Sequence, residues 1–547
     1  MARNKAAQSS DNVDYVVVGA GSAGSALAEA LSRDGRSRVA VIEAGGSDRR
    51  FFVQMPLGYG KTFYDRSINW GYRTEPDPGL AGQAEYRPRG RIVGGSGSIN
   101  AMVWIRGDHR DYDEWAAEGN AGWAFEDLLP LFKAIEDNQA GANEWRGTGG
   151  PVHVSDVSRQ LHPLASRFID AGLGAGFVAN DDFNGPSQEG IGVYQINTRN
   201  GWRMSSAKAF LRPALKRGNV RLITNALTTR ILFDGKRAVG VEYIENGVTK
   251  SIRAGREVIL SAGAINSAQL LELSGIGEAG LLKRLGIDLV VDSPAVGNHL
   301  QDHLGINYVY RSRVPTLNQT LGTWWGKLLA GAQFLLTGSG PLSLSLNQGG
   351  GFVKSRPDLD RPNIQLYFQA ISTFTAKKET RPLLGPDAFP GFAIGLSNCR
   401  PKSRGSIHIR SKSPLDHPRI DANAFGTPED VVDMLEGVKI LRRIAAQPAF
   451  ADIIAEELAP GPNVVTDEDL IDDFRHRSGT VYHPCGTCRM GPAIESAVVD
   501  QRLRVHGVGN LRVADASIFP SVISGNTNAA AIMVGVKAGM MVMEDRG

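Results

Sequence analysis

The apolar run Asp14-Tyr15-Val16-Val17-Val18 stops at Gly19 and gives way to a run of small residues, Gly19-Ala20-Gly21-Ser22-Ala23-Gly24. A short, β-branched run of this kind suits a strand buried on both faces in a parallel sheet. Ala23, Leu27, Ala30 and Leu31 then recur at helical spacing until Gly35 supplies a stop, which predicts a helix. Arg38-Val39-Ala40-Val41-Ile42 predicts a second strand, ending at Glu43. From Asn219 to Leu260 the period falls to two, with turn signals at Asp234-Gly235 and Asn246-Gly247, a meander of about three strands. The meander runs into another buried strand, Glu257 to Gly263, and then a helix from Ala264 to Leu273. A late strand, Leu511 to Asp515, completes a pattern in which one nucleotide-binding unit is assembled from separated segments.

The first of these segments carries specific chemistry. Strand, G-x-G-x-x-G, helix, second strand and terminal acid are the parts of a dinucleotide site. The first glycine allows the tight turn, the second lets backbone approach a pyrophosphate, and the third lets helix pack on strand. The helix start offers free N–H groups to the phosphates, and Glu43 is spaced to meet ribose hydroxyls. A second match, Gly275-Ile276-Gly277-Glu278-Ala279-Gly280, follows a helical segment rather than a strand, so it reads as a helix stop and restart.

Composition narrows the class. The chain has 65 glycines in 547 residues, about 12 % against the roughly 7 % of an average protein. Hydrophobic residues make up 42 %, and 60 Lys+Arg against 57 Asp+Glu leave a net charge of +3. That excludes a disordered chain, and the even balance without a basic block argues against a nucleic-acid partner. Three cysteines cannot build a disulfide framework and fit a reducing compartment. No apolar window is long enough for an integral membrane segment, so the expected location is the cytoplasm, with peripheral membrane association if a quinone takes the electrons.

The stretch Gly90 to Asn100 places four further glycines within eight residues, flanked by Met102, Val103 and Trp104, and is expected to cross the interior beside a flat ligand. Taken with the Gly19 loop, Ser261 to Gly277, Tyr482-His483-Pro484-Cys485-Gly486-Thr487-Cys488-Arg489-Met490-Gly491, and Val513 to Ser517 through Ser524-Gly525-Asn526-Thr527-Asn528, it resembles the glucose–methanol–choline oxidoreductases. The matching segments span essentially the whole chain in the family's order. Within the family the chain is similar to the choline dehydrogenase and aliphatic alcohol dehydrogenase branch, as is the run Asp182 to Gln195.

The resemblance implies an α/β fold: a Rossmann-like FAD-binding domain, from residues 11–155, 211–300 and 480–547, and a substrate domain, from 156–210 and 301–479, with an antiparallel sheet and flanking helices. It implies FAD held by Gly19, Gly21, Ser22, Ala23 and Gly24 at the pyrophosphate and by Glu43 at the ribose. Val93, Gly95, Asn100, Met102 and Val103 would lie along the flavin and Thr228 at the adenine. Asp515 and Ala516 would sit near the ribityl chain, with Asn526 and Thr527 approaching from the last helix. Ile99 stands where some relatives carry the histidine that bonds the flavin methyl, so FAD is expected to be noncovalent.

By the same resemblance His483 is the catalytic base and Asn526 its partner. The residue types suit alcohol oxidation: an imidazole titrates near neutrality and accepts the hydroxyl proton, while an amide donates to the developing alkoxide. The expected reaction is oxidation of an uncharged primary alcohol to the aldehyde, with oxygen or a quinone as acceptor. A cyanohydrin lyase, a photodecarboxylase and a choline dehydrogenase are the alternatives on the same scaffold. The fingerprint alone also leaves an NAD enzyme open.

Other groupings read more plainly. Cys485-x-x-Cys488 lacks a second cysteine pair for zinc, and His299-x-x-Asp302-His303 is expected to be structural, so no metal is expected. Trp324-Trp325 is expected to pack a helix or line the substrate entrance. Gln348 falls where choline-type relatives often carry Glu, which tilts against a cationic substrate. Gly338 to Ser345 and Thr373 to Pro390 are expected to be loops bordering the pocket.

Overall fold

The structure, a computed structural model, describes residues 12–374 and 385–546; most of the Thr373 to Pro390 loop therefore lies outside the described residues. Two seven-stranded sheets organise the molecule. In the first, the order is Val220–Ile223, Val39–Ile42, Asn12–Val18, Val248–Leu260, Arg237–Glu245 and Ala226–Asp234, with Leu511–Val513 also pairing with Val248–Leu260. The centre is parallel: Val16 pairs with Val258 and Ala40, and Val258 with Leu511. Its side chains, among them Val16, Val17, Ala40, Val41, Ile259 and Leu260, are fully buried, as continuous apolar strands require.

The meander and the buried strand that follows it in sequence are one element. Val248–Leu260 runs thirteen residues, pairing antiparallel with Arg237–Glu245 over its first part and parallel with Asn12–Val18 over its second. The polar stretch Arg253-Ala254-Gly255-Arg256 that separates the two in the sequence pattern lies within the strand. Gly275 is, as expected, a helix end: it follows Gly263–Leu273 with φ +87° and precedes the helix Ala279–Leu285.

The second sheet is antiparallel throughout, in the order Ile454–Ala459, Leu304–Ser312, Gly391–Asn398, Ile364–Gln369, Asn347–Val353 and Gly190–Val193, with Gly479–Thr480 beside Leu304. Helices Pro428–Ala445 and Pro163–Gly174 cover it through Met434, Val438, Leu441 and Phe168. The chain is thus α/β, with a Rossmann-like parallel unit joined to an antiparallel sheet.

The C-terminal helix Asn528–Glu544 packs on Ser22–Ser32. The contact is close because Gly535 and Gly539 carry no Cβ: one added there would lie 2.2 Å from the Ala23 carbonyl oxygen and 2.4 Å from the Ala30 Cβ. This brings Asn526 and Asn528, at the helix start, to the mouth of the first glycine loop.

Candidate active site

A cavity of about 510 Å³ runs from the Gly19 loop to His483. At the first end Asn12–Val18 stops, Gly19 turns at φ +101°, and the helix begins at Ser22 with no side-chain cap, so its first N–H groups face the cavity. Gly24 faces away from the cavity and permits helix–strand packing: a Cβ there would lie 2.0 Å from the Gly19 carbonyl oxygen. Overpacking of this kind costs about 1–3 kcal/mol and displaces backbone. Gly24→Ala is therefore expected to be purified with little or no flavin, read as the flavin-to-protein absorbance ratio; a normal ratio would show that the loop does not hold the cofactor.

The second glycine segment lies directly on the first. It crosses the interior as a short 3₁₀ turn, Gly95–Ser98, and a Cβ on Gly95 would stand 2.8 Å from the Gly21 Cα. Gly95, Asn100, Met102 and Val103 line the cavity, as do Gly19, Gly21, Ser22, Ala23, Glu43, Thr228, Asp515, Ala516 and Thr527. Val93 does not. It is buried behind the loop, its N–H donating to the Gly46 carbonyl and its carbonyl accepting from the Ser98 hydroxyl.

These residues fit FAD. The Glu43 carboxylate accepts N–H bonds from Ala20 (2.9 Å) and Gly45 (2.8 Å), and burial pushes its pKa up to about 7. Thr228 presents a buried hydroxyl without a protein partner at the far end. Asp515 is spent on the scaffold: it accepts from the Gly263 N–H (2.8 Å), the Ser267 hydroxyl (2.6 Å) and the Ser517 N–H (2.8 Å), which fixes the start of helix Gly263–Leu273 beside the cavity. Sequence reading missed Asn528, whose side-chain oxygen accepts from the Ser22 hydroxyl at 2.7 Å and ties the last helix to the phosphate loop.

At the other end, the Asn526 amide nitrogen lies 3.2 Å from His483 Nε2. Two residues that the sequence did not assign to the site fix this pair. Gln365 donates to the Asn526 amide oxygen (3.1 Å), which turns the Asn526 NH₂ toward the imidazole. His303 Nδ1 lies 2.9 Å from His483 Nδ1, and its Nε2 lies 3.0 Å from the Cys399 carbonyl oxygen. A carbonyl only accepts, so His303 carries its proton on Nε2, and in the neutral ring Nδ1 is left as an acceptor. His483 must then donate from Nδ1, and its Nε2 lone pair faces Asn526 and the cavity.

Electrostatics support the neutral state of both rings. Burial pushes His303 down to about 4. Burial, the neighbouring His303 and the Arg89 guanidinium hold His483 well below the usual histidine range. Arg89 is partly buried, lines the cavity, and donates to the Tyr482 carbonyl (3.0 Å) and the Ser96 hydroxyl (3.1 Å); desolvation lowers it only to about 10, so it remains a cation. Asp302 accepts the His483 backbone N–H (2.8 Å), the Thr480 hydroxyl (2.6 Å) and an Arg87 N–H (2.6 Å).

Three expectations are corrected. The His299-x-x-Asp302-His303 stretch does more than support the fold: it is not helical, and it brings His303 to the His483 ring and Asp302 to the His483 backbone N–H. Gln348 does not face the cavity. It is buried and accepts from the His162 N–H at 2.8 Å, while its neighbour Asn347 lines the pocket. Trp324 and Trp325 neither pack into the fold nor line the cavity; they stack on each other at 3.6 Å and stand exposed. Cys485 and Cys488 are buried and unpaired. Among the described residues no group of three or more His, Cys, Asp or Glu could hold a metal ion.

A parallel unit with a glycine cradle, joined to an antiparallel sheet, with a His–Asn pair at the far end of the same cavity, defines a flavin-dependent oxidoreductase. Family models described as GMC oxidoreductase match residues 13–305 and 401–535. The chain is 41 % identical to an alcohol dehydrogenase [acceptor] of Pseudomonas putida, covering 97 % of this chain and 95 % of that one. It is 42 % identical to an oxygen-dependent choline dehydrogenase of Brucella ovis, covering 96 % and 94 %. The solved structure of pyridoxine 4-oxidase from Mesorbium loti superposes with a TM-score of 0.86 at 30 % identity, covering 97 % of this chain and 99 % of that one. The chain belongs to the GMC oxidoreductase family, and its cofactor is FAD.

Proposed function

We propose that this enzyme oxidises an uncharged primary alcohol to the aldehyde, with His483 as the base and Asn526 as its partner. The observation that carries the reading is the unprotonated Nε2 of His483, whose lone pair accepts from the Asn526 amide at 3.2 Å and can be taken over by a substrate hydroxyl. A hydroxyl placed between them gives its proton to Nε2 and receives an N–H bond from Asn526 as the oxygen becomes alkoxide-like. Bound FAD supplies the acceptor for the hydride that leaves the carbon. The chain contributes the position of the hydroxyl and the protonation state of the base. This geometry favours alcohol oxidation over the lyase and photodecarboxylase alternatives.

The charge of the pocket favours an uncharged substrate. Among the described cavity-lining residues, carboxylates occur only at Glu43 and Asp515, beside the strand ends of the parallel sheet. The His483 end carries the Arg89 cation and the apolar or aromatic side chains of Tyr59, Phe63, Leu346 and Tyr482. A quaternary ammonium gains from a carboxylate and loses beside a guanidinium. In a panel of alcohols, kcat/KM for an uncharged primary alcohol is expected to exceed that for choline by ~10-fold or more, which corresponds to about 1.4 kcal/mol; a preference for choline would overturn this part.

The parallel-sheet unit is read as residues 11–155, 211–300 and 480–547, and the substrate unit as 156–210 and 301–479. Ile99 is buried at the cavity wall and has no nucleophilic atom, which supports noncovalent FAD. Acid precipitation is expected to leave yellow flavin in the supernatant; colour held in the pellet would contradict this. The electron acceptor is read as oxygen or a quinone, to be distinguished by the re-oxidation rate of the reduced enzyme with each. A cytoplasmic location fits three buried, unpaired cysteines. No helix among the described residues is long and apolar enough to cross a membrane.

A further inference from the structure

Helix Trp324–Thr337 is apolar on every side yet packs on only one. Ala330 and Phe334 are buried against the protein, while Trp324 (64 %), Trp325 (59 %), Leu328, Leu329, Leu335 and Leu336 (84 %) are exposed. Phe51 and Phe52 extend the surface: Phe51 meets the Phe334 ring at 6.4 Å, and both are exposed. A contiguous apolar surface of this kind marks an interaction site on a soluble fold.

We propose that this face seats the enzyme on an anionic phospholipid bilayer, the helix lying in the plane of the interface. The charges around it select that occupant. From Val314 to Val353 the chain carries no Asp or Glu, and its one charge is Lys327, exposed on the helix. Lys61, exposed, sits 4.1 Å over the Phe52 ring, and exposed Arg49 precedes Phe51 together with Arg50, which is paired with Asp65 at 3.7 Å. A second copy of the chain docking through the same patch would set these cations against their own counterparts. Anionic headgroups complement them, tryptophans suit the headgroup level, and leucines suit the acyl boundary. The helix has fourteen residues, too short to span a bilayer.

The face is linked to the active site along the chain. The chain leaves the helix at Gly338 and reaches Leu346 and Asn347, which line the cavity; Phe51 to Gln54 leads through Pro56–Gly58 to Tyr59, which lines it too. The docking itself rests on the surface, not on the identity of the substrate or acceptor.

The test uses holoenzyme and vesicles of equal parts phosphatidylcholine and phosphatidylglycerol. The enzyme is expected to float with the vesicles, with its tryptophan emission blue-shifted and quenched by brominated lipid. The variant Trp324→Ser/Trp325→Ser/Leu329→Ser/Leu336→Ser is expected to lose roughly ten-fold or more of the bound fraction, with activity toward a soluble dye acceptor unchanged. Wild-type enzyme that stays out of the vesicle fraction overturns the proposal, as does light scattering showing a dimer that the variant dissociates. Equal binding by the variant overturns it as well.

Discussion

Replacing His483 with Ala is expected to leave FAD bound and to slow flavin reduction by alcohol at least ~100-fold. Cofactor binding survives because the glycine cradle, Glu43 and Thr228 lie at the other end of the cavity. The rate falls because, among the described residues, no other base faces the His483 end of the cavity: His303, the nearest imidazole, lies behind His483 and does not line it. Asn526 has no basic atom, and Arg89 stays protonated throughout the neutral range, since burial lowers it only to about 10. Stopped-flow reduction under anaerobic conditions reads the chemical step directly. Near-wild-type reduction would remove His483 from the proton transfer.

A second large effect is expected at His303, which bonds the His483 ring from behind and does not line the cavity. His303→Ala deletes the acceptor that holds the His483 proton on Nδ1, so the ring can place it on Nε2, where it blocks the substrate hydroxyl. A loss of ~10–100-fold in kcat is expected, in keeping with the worth of a correctly presented base. His303→Gln supplies an acceptor toward His483 and a donor toward the Cys399 carbonyl, and is expected to recover most of the loss. The pH profile separates this from simple loosening. In the wild type, burial and His303 hold His483 well below its usual range. The base therefore stays neutral as pH falls below about 6.5, the unperturbed histidine value, and kcat/KM keeps its plateau there. Removing His303 takes away one of the groups that lower His483, so the acid limb moves to higher pH in the Ala variant. Unchanged profiles in both variants would reduce His303 to a packing residue.

The nucleotide end was legible because its information is local. Strand, turn, helix and acid follow one another from Asp14 to Glu43, and Gly19 and Gly24 are each required by an atom within the same unit or the adjacent strand. His483 and Asn526 became readable through their resemblance to a family, not through spacing. Their supports were hidden because they arrive from distant strands. Gln365 stands on Ile364–Gln369 and His303 just before Leu304–Ser312, so only sheet pairing brings them to His483. Gln348 illustrates a different obstacle. Side chains alternate across a strand, and the register shifts between Asn347 and Gly349, so a single residue separates the cavity face from the core. Trp324 and Trp325 misled for a third reason. An apolar helix reads as a packed one, and nothing in its periodicity shows that only Ala330 and Phe334 find partners.

The glycine surplus has two origins in the structure. One set, Gly19, Gly24 and Gly95, lets two loops and a helix start close around the cofactor site; the other, Gly535 and Gly539, lets the last helix lie against Ser22–Ser32 and deliver Asn526. The cofactor cradle and the catalytic pair therefore depend on the same helix contact.

The central claim, that a neutral His483 accepts the proton of an alcohol in this cavity, is tested most directly by anaerobic mixing of the purified yellow enzyme with an uncharged primary alcohol. The account predicts bleaching of the flavin with one aldehyde formed per flavin reduced. A yellow enzyme that stays oxidised across a full panel of alcohols would contradict it.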